Sequence, residues 1–289
     1  MEILVGKTAG FCYGVKRAVD GAKKEINEGK NKLYCLGEIV HNKQVIEELE
    51  KQGIIFVDNI CKVKNKAIIR AHGVEKDVYD TAKKNNIEIK DYTCPNVLKI
   101  HEIVNEYSRN GYYIFLCGSK KHPENIGTIS YCNNKYSVIE NENDVESGIK
   151  KFNETDSKKL LIISQTTYSL EKFAKIENII RDRIDEKTEL IIKNTICKAT
   201  EIRQKETFEL SNKVDYMIII GGKNSSNTRK LYEIAKQNCK NSISIETEKE
   251  IDLRKLDKTS KIGIMAGAST PKESIEKVYE KINSLNLKY

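Results

Sequence analysis

Short uninterrupted apolar runs alternate along the chain with amphipathic stretches. Ala67-Ile68-Ile69, Tyr113-Ile114-Phe115-Leu116, Leu160-Leu161-Ile162-Ile163 and Ile262-Gly263-Ile264-Met265 are of the first kind. Such runs predict strands buried on both faces, as parallel strands are. Leu170 to Arg183 and Thr228 to Gln237 carry helical patterns and predict helices. Regular alternation of the two predicts an α/β protein with parallel sheets. Met1 to Gly6 reads as a first strand and lacks the basic and long apolar regions of a signal peptide. The longest apolar runs, such as Met217-Ile218-Ile219-Ile220, are far too short to span a bilayer. The expectation is a soluble, cytoplasmic protein with no membrane part.

The pattern recurs three times. Thr8-Ala9-Gly10-Phe11-Cys12, Asp91-Tyr92-Thr93-Cys94 and Asn194-Thr195-Ile196-Cys197 each follow a strand-like segment and open a helical one. Some two dozen residues later each copy has a strand ending in glycine, at Gly37, Gly118 and Gly221. Four residues beyond that glycine stand His41, His122 and Ser225. A further strand then ends in a polar turn: Arg70-Ala71-His72-Gly73, Ser164-Gln165-Thr166-Thr167 and Ala266-Gly267-Ala268-Ser269. Ligands of open α/β sheets bind at the carboxyl ends of the strands. Three copies facing a common centre would therefore gather three thiolates inside a ring of His, Ser, Thr and Asn. The predicted domains are residues 1–93, 94–194 and 195–289, and a length of 289 residues suits two or three small cores. The three prolines, Pro95, Pro123 and Pro271, each abut one of these turns. Proline suits the first helical position, so helices should start there and aim their amino ends at the shared site.

Eight cysteines occur without a CxxC pair. In a chain with no export signal a disulfide framework is not expected. Cys12, Cys94 and Cys197, spaced by 82 and 103 residues, fit no local zinc or ferredoxin motif. A helix amino end favours the thiolate, and three thiolates could hold zinc with water in the fourth position. They could equally hold a 4Fe-4S cluster with one iron left open. Cys35, Cys61, Cys117, Cys132 and Cys239 read as ordinary small apolar residues. Three of the four histidines, His41, His72 and His122, fall in the repeated turns, where they could bind an anion or a metal; His101 lies within a helical segment and reads as structural. Asn224-Ser225-Ser226-Asn227 opens a helix, and one of these is an N-cap. Hydroxyls and amides at a helix start also suit phosphate. Glu124, the carboxylate of the His122-Pro123-Glu124 turn, is either a favourable dipole contact or a proton source.

Lys and Arg number 50 against 42 Asp and Glu, a net charge of +8. The lysines are scattered, with no basic tract interleaved with aromatics, so nucleic acid is not an expected partner. The charge reads first as a lysine-rich background composition, and the sharper reading is attraction to an acidic partner.

Taken together these motifs resemble the 4-hydroxy-3-methylbut-2-enyl diphosphate reductase family. The match runs from Gly10 to Pro271 through Gly10-Phe11-Cys12-Tyr13-Gly14-Val15-Lys16-Arg17-Ala18, Gly37-Glu38-Ile39-Val40-His41-Asn42, Arg70-Ala71-His72-Gly73-Val74, Thr93-Cys94-Pro95, His122-Pro123-Glu124, Ser164-Gln165-Thr166-Thr167, Ile196-Cys197-Lys198-Ala199-Thr200, Lys223-Asn224-Ser225-Ser226-Asn227 and Ala266-Gly267-Ala268-Ser269. Gly222 and Met265 stand where relatives often carry a polar residue. The resemblance implies three pseudo-threefold-related α/β domains around a central 4Fe-4S cluster, with Cys12, Cys94 and Cys197 as its three cysteine ligands and one open iron. It implies that His41, His72, His122, Ser225, Ser226, Asn227 and Ser269 line a diphosphate pocket. Glu124 and Thr166 would act near the substrate hydroxyl, with Glu124 supplying a proton. The implied reaction is reductive dehydroxylation to isopentenyl and dimethylallyl diphosphate, with ferredoxin or flavodoxin as electron donor. A quinolinate synthase-like iron–sulfur enzyme shares the three-cysteine pattern but lacks the His41-Asn42 and Asn224–Asn227 signature. A non-enzymatic iron–sulfur redox sensor would have no use for Glu124.

Overall fold

The computed structural model describes residues 1–28, 32–256 and 259–285. In chain order the elements are β1 (Glu2–Val5), α1 (Tyr13–Glu28), β2 (Leu33–Leu36), α2 (Lys43–Lys51), β3 (Ile54–Val57), β4 (Lys66–Ile69), α3 (Lys76–Lys84) and β5 (Glu88–Asp91). Then come α4 (Pro95–Arg109), β6 (Tyr113–Cys117), α5 (Pro123–Ile129), β7 (Tyr136–Ile139), α6 (Asp144–Asn153), β8 (Lys159–Ser164), α7 (Leu170–Arg183) and β9 (Glu189–Ile192). The last are α8 (Lys198–Ser211), β10 (Tyr216–Ile220), α9 (Ser226–Asn238), β11 (Asn241–Ile245), β12 (Lys261–Ala266) and α10 (Lys272–Asn283).

The strands form three four-stranded parallel sheets, ordered β3-β2-β4-β5, β7-β6-β8-β9 and β11-β10-β12-β1. All three have one topology. The two central strands are the one ending in glycine and the one ending in the polar turn. The fourth position is an edge strand that leads directly into a cysteine. In the third sheet that position is filled by β1, which pairs with β12 in the register Glu2 to Lys261 and Val5 to Ile264. The expected three-part parallel architecture is therefore present, and the third part is completed by the first strand of the chain.

The central strands carry the continuous apolar runs because helices cover both faces. Every residue of β6 is buried, as are all but the first of β8 and β12. Around Phe115 the core is aromatic. Its ring meets Tyr113 edge-on at 5.8 Å, and Tyr113 meets Phe152 at 5.7 Å. Edge strands β5 and β9 are only partly buried, which explains their mixed composition.

By contacts the chain divides into two compact units. The first comprises Met1–Lys16, Val40–Leu49 and Lys198–Tyr289; the second comprises Arg17–Ile39 and Glu50–Cys197. The first unit holds the sheet containing β1, and the second holds the other two sheets.

Pro95 and Pro123 open α4 and α5 as expected. Pro271 departs from the expectation. Its ψ of 153° is extended, so it caps α10 from outside and the helix starts at Lys272. Truncating Phe115 to alanine should cost about 3–5 kcal/mol in stability, because the aromatic pairs leave a void that a parallel sheet cannot collapse around. Urea denaturation followed by circular dichroism should show a lower midpoint with an unchanged slope.

Candidate active site

In the second unit, β5 ends in a turn held by polar groups. Asp91 accepts from the Thr93 N–H at 2.8 Å and from the Tyr79 hydroxyl at 2.8 Å. The Arg17 guanidinium donates to the Thr93 and Asp91 carbonyls at 3.0 and 3.3 Å. This fixes Cys94, whose N–H donates to the Ala71 carbonyl at 3.0 Å and which N-caps α4 ahead of Pro95. Cys197 is set in the same way. Its N–H donates to the Thr166 carbonyl at 2.9 Å, and the Ile196 N–H donates to Asn194 Oδ1 at 3.0 Å. The Asn96 side chain, in the first turn of α4, donates from Nδ2 to Cys197 Sγ at 3.0 Å. The structure thus brings Cys94 and Cys197 into one neighbourhood of this unit.

The same unit holds His72 and His122, with ring centroids 5.4 Å apart and nearly perpendicular planes. His122 N-caps α5, its Nδ1 accepting from the Glu124 N–H at 3.2 Å. Gly127 of α5 lets the Val74 carbonyl pass 3.1 Å from where a Cβ would stand, so the turn after His72 lies directly on this helix.

Glu124 is 2% exposed. One carboxylate oxygen accepts from the Thr166 N–H at 2.6 Å and the other from the Thr166 hydroxyl at 2.6 Å. Burial raises its pKa to about 7, against the lowering effect of the two Thr166 bonds. A carboxyl group poised there can hold a proton at neutral pH and release it. His101, by contrast, is buried in α4 and stacks on Tyr131 at 4.7 Å. Burial lowers its pKa to about 4, so it stays neutral and structural.

In the first unit the Cys12 N–H donates to the Ala268 carbonyl at 3.1 Å, and the Cys12 carbonyl accepts from the Lys16 N–H at the start of α1 at 2.9 Å. The loop before it is gripped by α8. Arg203 donates to the Thr8 and Gly10 carbonyls at 2.9 Å each, and Glu206 accepts from the Lys7 and Thr8 N–H groups at 2.6 and 2.9 Å. The His41 carbonyl accepts from the Ser269 hydroxyl at 3.2 Å. It also passes 2.5 Å from where a Cβ on Gly222 would lie. A glycine at 222 is therefore what the approach of the His41 turn requires.

Ser225 N-caps α9, accepting from the Thr228 N–H at 3.2 Å. Ser226 opens the helix, and Asn227 behind it is 3% exposed. Neither Asn227 Oδ1 nor Nδ2 finds a hydrogen-bond partner among the described residues, nor does Thr228 Oγ1. Buried amides are normally paired, so these atoms are candidate ligand contacts at the start of a helix.

The eight cysteines separate by burial. Cys12, Cys94 and Cys197 are half-buried, whereas Cys35, Cys117, Cys132 and Cys239 are buried and Cys61 is exposed. Burial pushes the Cys35 and Cys132 thiols up to about 12 and Cys117 higher still, so these remain protonated. Of the supports, Arg17 lies within the Gly10–Ala18 motif, whereas Asn96, Arg203 and Glu206 are not visible as motif residues. The only hint is the inner face of α8, where Thr200, Arg203, Gln204, Thr207 and Ser211 are buried at helical spacing.

The Glu124 pKa has a consequence for stability. A carboxyl group raised in the folded state favours folding below its ordinary value, 4.5, and that contribution is lost as pH rises through about 7. The stability of the parent relative to Glu124→Gln should therefore fall between those limits, by roughly 3 kcal/mol in total, and be flat above them. Urea melts of both proteins from pH 4 to pH 8 measure it; a difference that does not vary with pH would show an ordinary carboxylate.

Residues 3–283 match the family model described as LytB protein. A relative from Caldanaerobacter subterraneus subsp. tengcongensis, named 4-hydroxy-3-methylbut-2-enyl diphosphate reductase, is 42% identical over 99% of this chain and 98% of its own length. The solved E-1-hydroxy-2-methyl-but-2-enyl-4-diphosphate reductase of Plasmodium falciparum superimposes with a TM-score of 0.89 at 30% identity, covering 98% of this chain and 88% of that one. A solved (E)-4-hydroxy-3-methyl-but-2-enyl diphosphate reductase, described as the terminal enzyme of the non-mevalonate pathway, gives 0.71 at 38% identity over 98% of this chain and all of the other. The chain belongs to the LytB family, the 4-hydroxy-3-methylbut-2-enyl diphosphate reductases.

Proposed function

We propose that this chain removes the C4 hydroxyl of (E)-4-hydroxy-3-methylbut-2-enyl diphosphate by reduction, as the last step of the methylerythritol phosphate route to isoprenoids. Two electrons and two protons enter; one water leaves, and isopentenyl or dimethylallyl diphosphate results according to which allylic carbon takes the second proton. The observation that carries the reading is the Glu124–Thr166 pair. A hydroxyl leaves readily only as water, and Glu124 holds a transferable proton at neutral pH in a dry setting. Thr166 keeps both carboxyl oxygens in place, and its hydroxyl oxygen is left to accept from the C4 hydroxyl.

The cofactor in this reading is a 4Fe-4S cluster held by Cys12, Cys94 and Cys197. The donor set suits it. Each of the three cysteines opens a helix, ties its own N–H to the polar turn of a neighbouring strand, and keeps a half-buried thiol. When bound, such a cluster supplies electrons one at a time and an iron without a cysteine ligand that acts as a Lewis acid. The chain's remaining work is to bind and orient. The unpaired amide of Asn227, the hydroxyls of Ser225, Ser226 and Ser269, and the imidazoles of His41, His72 and His122 take the diphosphate, with the α9 helix start favouring its negative charge. No helix among the described residues is long and apolar enough to cross a membrane, and the reading places the reaction in the cytoplasm.

Turnover tests this directly. Protein purified without oxygen and loaded with iron and sulfide should consume the substrate with a reduced viologen and yield both products. Cys12→Ser, Cys94→Ser and Cys197→Ser should each lose the visible absorption and the activity, while Cys61→Ser should keep both. A Cys197→Ser protein with a full cluster and full turnover would remove the three-ligand assignment.

The physiological donor in this reading is an acidic ferredoxin or flavodoxin, matched to the net charge of +8. Its turnover should slow as salt rises, because charges more than about 8–10 Å apart are screened at physiological strength. Turnover with a small uncharged reductant should barely change. A flat salt profile with the protein donor would remove electrostatic docking and leave the catalytic assignment intact.

A further inference from the structure

Asn96 stands in the first turn of α4, two residues after Cys94, yet its side chain points at a different cysteine. Nδ2 lies 3.0 Å from Cys197 Sγ. The carboxamide has two N–H bonds, and the short distance places one of them on the sulfur. The backbone leaves room for this. Pro95 has no N–H, and the Val97 and Leu98 N–H groups are spent on the Cys94 carbonyl at 2.9 and 3.0 Å. The amides of Cys94 and Cys197 are likewise spent, on Ala71 and Thr166. The Cys197 sulfur takes this polar contact from a side chain, and that side chain rides on the helix capped by Cys94.

We infer that Asn96 tunes the reduction potential of the cluster by donating an N–H···S hydrogen bond to the Cys197 thiolate. The inference rests on the cluster assignment proposed above. Hydrogen bonds to ligand sulfurs are among the means by which a protein sets such potentials. The sign follows from charge. Adding one electron increases the negative charge on the ligand sulfurs, so a donor N–H stabilises the reduced state more than the oxidised one. The bond raises the potential and makes the cluster easier to reduce. Asn96 is a positioning residue in this account, since it acts on the reaction through Cys197.

The test is a redox titration of the loaded protein, with dithionite as the electron source and mediators of known potential. Reduced cluster is read by electron paramagnetic resonance, and iron and sulfide are counted per chain. Asn96→Leu removes the donor at similar volume; Asn96→Asp keeps the shape, removes the N–H and adds negative charge. Both midpoints should fall below that of the parent at equal iron content, with the aspartate variant lower. A tenfold weaker reduction equilibrium in Asn96→Leu would read as a fall of about 59 mV for one electron. Asn96→Gln, which retains the amide on a longer arm, should recover part of the shift. Should the leucine protein load poorly, the aspartate protein carries the same comparison. Midpoints equal to the parent's in both variants at full loading would overturn the inference and leave the cluster in place. A parent protein that takes up no cluster would instead overturn the assignment beneath it.

Discussion

One main-chain hydrogen bond recurs in all three copies of the repeat, and the candidate site depends on it. Cys12, Cys94 and Cys197 donate their N–H groups to Ala268, Ala71 and Thr166, each in the polar turn beyond the neighbouring strand of its sheet. In each copy the bond ties the turn ahead of a helix to the turn beyond the neighbouring strand. Beside each acceptor, or at it, stands a candidate substrate residue: Ser269, His72 and Thr166. The same bond thus sets a cysteine beside a polar side chain in each copy, on turns anchored by the neighbouring parallel strands.

Much of this was legible in the chain. Buried parallel strands must be apolar at every position, so β6, β8, β10 and β12 stand out as uninterrupted runs. The cysteine turns were legible because they recur. Other features rest on contacts between distant residues and leave no local trace. The pairing of β1 with β12 is one: four residues of strand pattern do not say which sheet they complete. Asn96 is another, since its partner is 101 residues away. The α8 helix hides its inner face because that face is polar; Arg203 and Glu206 turn inward to hold the loop before Cys12, and an apolar stripe was the wrong signal to seek. Gly222 carries a contact of the same kind, since the His41 carbonyl lies 2.5 Å from where its Cβ would stand.

Burial sorts the cysteines by chemistry as well as by place. A thiol inside a strand core such as Cys117 would have to lose its proton among apolar neighbours, and desolvation forbids it. A thiol at a helix start keeps access to water and to the N–H end of the helix. The same physics acts on Glu124 with the opposite use. There the desolvation that keeps a core cysteine protonated raises a carboxyl pKa to about 7, and the two Thr166 hydrogen bonds oppose that shift.

The closure of the third sheet by β1 also makes the three sheets unequal in how far apart their partners lie along the chain. The other two sheets pair strands that follow one another within β2 to β5 and β6 to β9. In the third, Glu2 pairs with Lys261 and Val5 with Ile264. Contacts between residues so distant in sequence are slow to form, because loop-closure entropy opposes them before the ladder rewards them. The Cys12 N–H shares that delay, since its acceptor is the Ala268 carbonyl. Two of the cysteine turns therefore rest on pairings of short range, and the third rests on the contact of highest order in its sheet.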